Sequence, residues 1–122
     1  MAYTFWLKLT NEPTSIQTYS TGGYLLVGLD NGQVRKLTVS DKTNASLASF
    51  VGRKITAICS DGTSLYVGFS DGSLEKVTIA NGAITTLEPK AKHRFGIVAI
   101  HYYTTTLYIT GNDGKIYTRA TT

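Results

Sequence analysis

Hydrophobic and polar positions alternate in short runs along most of the chain, and each run stops at a turn that carries glycine. Ile55–Ser60 and Ser64–Phe69 are two such runs, parted by Asp61-Gly62; Ser73–Ile79 then follows Asp71-Gly72, and Ala83–Leu87 follows Asn81-Gly82. Short runs rich in β-branched and aromatic residues predict strands, and Asp-Gly or Asn-Gly between them predicts hairpins, because glycine adopts positive φ at little cost. No stretch spaces its apolar residues at the three-and-four interval of a helix. The pattern predicts an all-β chain made of four-stranded meanders.

The meander recurs. Leu25, Val27, Gly28 and Gly32 stand 40 residues before Leu65, Val67, Gly68 and Gly72, and the same offset sets Gly22 on Gly62 without a gap. An offset of 42 carries Leu65, Tyr66, Asp71 and Gly72 onto Leu107, Tyr108, Asp113 and Gly114. Periods of this size mark stacked repeats. The hairpin Leu107–Ile116, and the repeat it belongs to over residues 15 to 119, resembles the blade of a β-propeller and, among families, a WD40 repeat. The Gly-His opening and Trp-Asp ending of that family are absent; Arg35-Lys36-Leu37, Glu75-Lys76-Val77 and Tyr117-Thr118-Arg119 stand near the latter's place. The resemblance implies one domain: a closing strand in residues 1–10, blades at 15–54 and 55–96, and an incomplete blade at 97–122.

Tyr3 to Leu9 alternates as well, with Tyr3, Phe5, Leu7 and Leu9 on one face and Thr4, Trp6 and Lys8 on the other. Propellers of the kind resembled close when a first strand completes the last blade, and three blades are too few for a ring. The expectation is therefore a homodimer with six blades. In it, Tyr3, Phe5, Trp6, Leu7 and Leu9 of one chain meet Ile116 and Tyr117 of the other. This assembly is preferred to a nine-bladed trimer and to a fragment of a longer chain.

Composition changes the picture mainly by exclusion. At 42% hydrophobic and 16% charged the chain is globular in character, and no apolar run nears the roughly 20 residues that cross a bilayer. The start lacks the basic and apolar regions of a secretory signal. A single cysteine, Cys59, excludes an internal disulfide framework or a cysteine-based zinc site and favours the cytoplasm. It is expected to be a buried, inert thiol. His93 and His101 have no acidic or cysteine companion at a fixed spacing. Asp30, Asp71 and Asp113 recur at one turn, where aspartate serves turn chemistry better than it serves calcium. Neither catalytic residues, nor a cofactor, nor a metal is expected.

Charge supplies the one candidate surface. Twelve Lys and Arg residues against eight Asp and Glu give a net charge of +4. In a propeller, the loops between blades share a face with the hairpins joining second and third strands. That face would gather Arg53, Lys54, Lys90, Lys92, His93 and Arg94. Such a face suits an acidic protein or peptide; nucleic acid is permitted but not favoured, and a membrane partner is not expected. One alternative is a multivalent lectin, which needs an aromatic recurring in each blade. Here Trp6 occurs once, and Tyr66 and Tyr108 are matched by Leu26. The other is a structural half-propeller of viral, designed or duplicated-gene origin, with no ligand.

Overall fold

The computed structural model describes residues 4, 6–19, 23–89 and 95–122. Within them the strands are β1 (Pro13–Tyr19), β2 (Tyr24–Leu29), β3 (Gln33–Thr38), β4 (Asn44–Ser49), β5 (Ile55–Ser60), β6 (Ser64–Phe69), β7 (Leu74–Thr78), β8 (Ile84–Glu88), β9 (Ile97–Tyr103), β10 (Thr106–Gly111) and β11 (Ile116–Ala120). Successive strands pair antiparallel within three sheets, the first from β1–β4, the second from β5–β8 and the third from β9–β11. The expected bounds of β5 and β6 agree with the structure, while β7 begins one residue late. Ser73 is drawn into the preceding turn, where its amide donates to Asp71 Oδ1 at 2.9 Å. Among the described residues no helix is long and apolar enough to cross a membrane.

The ladder corrects one expectation of register. Ser15 pairs with Gly28 as Ala57 pairs with Gly68 and Ala99 with Thr110. First strands therefore match at an offset of 42 between the first two sheets, although second strands match at 40. The gapless 40 suggested by the glycines fails because Thr18 pairs with Leu25 across a longer connection than Ser60 needs to reach Leu65. A register shift near the start of each first strand, at Pro13/Ser15, at Ile55/Ala57 and opposite Thr110/Gly111, bends it as a bulge does.

Each sheet has a forward face toward the next sheet and a rear face toward the previous one. Leu26 and Val34 on the forward face of the first sheet pack with Leu65, Val67, Phe69 and Val77 on the rear of the second. Ala57, Tyr66 and Leu74 on the second sheet's forward face pack in the same way with Ile97, Leu107 and Ile109 on the third. Burying each Val, Leu, Ile or Phe side chain among them is worth about 1.5–3 kcal/mol. Glycine lets the sheets approach: a Cβ on Gly28 would lie 2.6 Å from Ile55 Cγ2, and one on Gly68 2.7 Å from Ile97 Cγ2.

The two end faces differ. On the rear of the first sheet Val27, Leu29 and Leu37 are buried, and Leu7, Leu9 and Leu25 pack on them. Leu7 and Leu9 are half-buried while Trp6 and Lys8 are exposed, so the alternation read from the sequence holds for these four residues. Yet residues 6–9 belong to no strand of this chain; Tyr3 and Phe5 lie outside the described residues. On the forward face of the third sheet Tyr108 is 38% and Ile116 71% exposed, where their counterparts Tyr66 and Leu74 are both 0%.

Candidate binding face

Backbone hydrogen bonds bring the segment leading into each sheet alongside that sheet's β2–β3, β6–β7 or β10–β11 hairpin. Asp30 N donates to Glu12 O at 2.9 Å, Ser70 N to Lys54 O at 3.1 Å and Asn112 N to Gly96 O at 2.9 Å. The hairpins are closed by one repeated device, in which Asn31, Asp71 and Asp113 Oδ1 accept from the amides of Gln33, Ser73 and Lys115 at 3.1, 2.9 and 3.1 Å. The recurring position is thus Asn31, Asp71 and Asp113. Asp30 stands one place earlier, and its Oδ1 is buried without a hydrogen-bond partner. Glycine follows in each case at positive φ, and at Gly32 a Cβ would fall 1.9 Å from Phe50 O.

Arg53 reaches inward from the loop between β4 and β5. Nη1 donates to Glu75 Oε2 at 3.1 Å and Nη2 to Ser73 Oγ at 2.5 Å. The guanidinium lies 3.9 Å from the centroid of the Phe69 ring, a cation–π distance. Glu75 is only 5% exposed, and its second oxygen accepts from Thr86 Oγ1 at 2.8 Å. Arg53, counted from the sequence as a cation offered to a partner, is therefore engaged in holding a buried carboxylate. Lys54 beside it is exposed. Lys90, Lys92, His93 and Arg94 lie outside the described residues. Glu75 was missed by sequence reasoning, although it stands in phase with Val77 and Ile79 on an apolar face, where a carboxylate needs a partner.

The same place in the third sheet is built differently. Phe95 and Tyr117, at the positions of Arg53 and Glu75, stack at 4.1 Å between centroids and 3° between planes. The Tyr117 hydroxyl donates to Asp113. That bond, with the Lys115 amide, holds the Asp113 carboxyl below the usual range despite the smaller opposing effect of desolvation.

A second polar group lies at the opposite end of β6. Tyr66 OH donates to Asp61 Oδ2 at 2.7 Å, while Asp61 Oδ1 accepts from the amides of Ser64 and Thr63 at 2.8 and 3.0 Å. Burial alone would push the Asp61 carboxyl up; the bonds from Ser64, Tyr66 and Thr63, with the Lys76 charge, outweigh it and hold the carboxyl below its ordinary value. Burial and then the Asp61 bond push the Tyr66 phenol far up. Lys76 Nζ donates to Thr121 O at 3.2 Å, and Arg119 Nε pairs with Glu88 Oε2 at 2.7 Å. Cys59 is 7% exposed, and burial pushes its thiol up, which lowers the thiolate fraction that reactivity needs. His101 is exposed on β9. Among the described residues no group of three or more His, Cys, Asp or Glu side chains could hold a metal ion.

No family model matches the chain, and no curated protein matches it either. Solved structures do. The WD40 β-propeller domain of Doa1 superposes on 92% of the chain with a TM-score of 0.76 and 12% identity, and 38% of that chain is covered. The computationally designed Ika4 protein matches 89% of the chain, and 66% of its own, with a TM-score of 0.69 and 19% identity. A Saccharomyces cerevisiae complex of Dbp5 bound to Nup159 and Gle1 includes a chain matching 98% of this one, with a TM-score of 0.68 and 15% identity; 30% of that chain is covered. The chain thus spans between about a third and two thirds of the lengths it matches. At these identities the likeness concerns the fold: an all-β, WD40-like β-propeller architecture.

Proposed function

We propose that this chain is a non-enzymatic β-propeller binding module that assembles as a homodimer of six sheets. Its loop face would receive an acidic protein or peptide. The observation that carries the assembly is the forward face of the third sheet. Tyr108 and Ile116 are open to solvent there, where Tyr66 and Leu74 at the same repeat positions are fully buried. An apolar sheet face left open in this way marks an interaction site. In the dimer, residues 3–9 of each copy lie along β11 of the other, near Ile116 and Tyr117, as its fourth strand. The acidic partner follows from exposed Lys54 between β4 and β5, together with the basic residues Lys90, Lys92, His93 and Arg94 that the sequence carries between β8 and β9. The Dbp5 complex, in which that protein is bound to Nup159, shows a chain of this fold in a protein–protein assembly.

Light scattering on a sizing column tests the assembly, with the full chain run beside residues 10–122. A dimer that dissociates on truncation is expected; a monomer at every concentration would overturn it. For the loop face, a fluorescent poly-glutamate peptide should bind with an affinity that falls steeply with salt. Binding should also weaken when Lys54, Lys90, Lys92 and Arg94 become serine. Salt-independent binding, or none, removes the acidic-partner reading and leaves the dimer standing.

A further inference from the structure

We infer that Trp6–Leu9 is a placeholder: in the single chain it caps the rear face of the first sheet, and on assembly it yields that face to the third sheet of a second copy. This rests on the homodimer proposed above and specifies which surfaces meet and what must first leave.

The argument begins with continuity of the stacking interface. Two successive seams inside the chain obey one rule, forward face on rear face, with Leu26 and Val34 at the first and Tyr66 and Leu74 at the second. The third sheet presents the next forward face through Tyr108 and Ile116. Val27, Leu29 and Leu37 stand at the positions of Val67, Phe69 and Val77 and form the one rear face without a sheet behind it among the described residues. A second copy offers the missing member at both ends.

The points of closest approach are complementary too. At the inner seams a glycine faces an isoleucine, Gly28 against Ile55 and Gly68 against Ile97. The ladder places Thr110 where Gly28 and Gly68 stand, and Pro13 where Ile55 and Ile97 stand. Threonine is larger than glycine, and proline is smaller than isoleucine. Joining the two end faces therefore trades volume in one place for volume in the other, as close packing requires.

The cap fits its site less well than a sheet would. Between Trp6, Leu7 and Leu9 and the strands beneath runs a groove of about 390 Å³, open to solvent and reaching Pro13, Ile16 and Leu25. Ile16 is 63% exposed, while Ile58 and Ile100, at its place in the other sheets, are 5% and 8% exposed. The cap thus leaves apolar surface in water that a docked sheet would bury. Cap and docked sheet need the same ground, so the two states exclude each other. The displaced segment is the one that completes β11 in the assembled form.

Trp6 is the chain's single tryptophan and so reports on the cap directly. Solution mass and acrylamide quenching of Trp6 would be followed together across a thousandfold range of concentration, for the wild type and for Ile116→Asp. Ile116 lies on the third sheet, away from the cap. In the wild type, mass and quenching should shift with one midpoint. Ile116→Asp should stay monomeric, with the quenching of the dilute chain throughout. If the wild type is dimeric even when dilute, its quenching should differ from that of the monomeric variant. Dimerisation with unchanged Trp6 quenching would overturn the placeholder and leave the homodimer intact. A Trp6 response that persists in Ile116→Asp would overturn the assigned seam. A wild type that stays monomeric throughout would overturn the homodimer, and this inference with it.

Discussion

Replacing Arg53 by methionine tests whether the Arg53–Glu75 pair behaves as a buried one. The substitution keeps an unbranched stem over Phe69 and removes both donors. Glu75, whose side chain is 6% exposed, then keeps the Thr86 bond but loses the counter-ion that Arg53 supplies. Leaving a buried charge unpaired costs about 3–5 kcal/mol. The Arg53 side chain is 29% exposed, so water can reach the vacated space and the cost should fall to about 2–3 kcal/mol. With a urea slope of about 1–3 kcal/mol/M, the midpoint followed by far-UV circular dichroism should drop by roughly 0.7–3 M. Arg53→Ala should cost about 1 kcal/mol more, through lost packing on the ring. The double variant Arg53→Met, Glu75→Leu should return to within about 1 kcal/mol of wild type, because an apolar pair can replace a buried ion pair. If Arg53→Met costs less than about 0.5 kcal/mol and the double variant gains nothing, the carboxylate is effectively solvated and the argument from burial is wrong.

The remaining predictions concern other sites. Asp61 is held below its ordinary pKa when folded, so its bonds stabilise the fold above about pH 4, and that stability is lost as pH falls through the depressed folded value. Urea midpoints from pH 6 down to pH 2 should fall less steeply in Asp61→Asn than in wild type; parallel curves would refute the assignment. Thr104 and Thr105, at φ 48° and 61°, form the two-residue turn between β9 and β10, a conformation β-branched residues adopt at a cost. Asn-Gly in their place should raise stability by about 1 kcal/mol or more, read as a higher melting temperature. Gly68→Ala would bring a methyl to 2.7 Å from Ile97 Cγ2 and should destabilise by about 1–3 kcal/mol; combining it with Ile97→Val should recover part of the loss. Cys59 should resist Ellman's reagent in the native chain and react on unfolding in urea, since it is buried and its thiol pKa is raised.

The architecture was legible because glycine turns and period-two alternation are local signals, and β5 and β6 end where those signals stop. The first sheet was harder. Its resemblance to the second is carried by the β2–β3 hairpin, while Pro13 and Ser15 occupy the ladder places of Ile55 and Ala57, so the shifted offset leaves little trace in the letters. Asp30 resembles the recurrent turn acid in sequence because asparagine and aspartate close such a turn equally well, and Asn31 does so here. The candidate binding face was legible only as charge. A cation in a loop looks free in sequence, and it took the position of Glu75 to show that Arg53 faces inward. Alternation at Leu7 and Leu9 announced an apolar edge but could not say which surface it would cover, because amphipathicity carries no address.

The divergence between the Arg53–Glu75 pair and the Phe95–Tyr117 stack bears on how freely one repeat could borrow from another. Arg53 stands just before β5 and Glu75 lies in β7 of the same sheet, so the two travel together wherever that sheet docks. Phe95 and Tyr117 are tied to the third sheet in the same way. A recombination that carried the segment before β9 to the front of β5, without β11, would set an aromatic ring against the Glu75 carboxylate and take away its cation. That mismatch costs several kcal/mol, whereas the apolar residues around it would tolerate the exchange. Each sheet is thus transferable only as a matched set of segments, and the likeness of the repeats does not make their parts interchangeable.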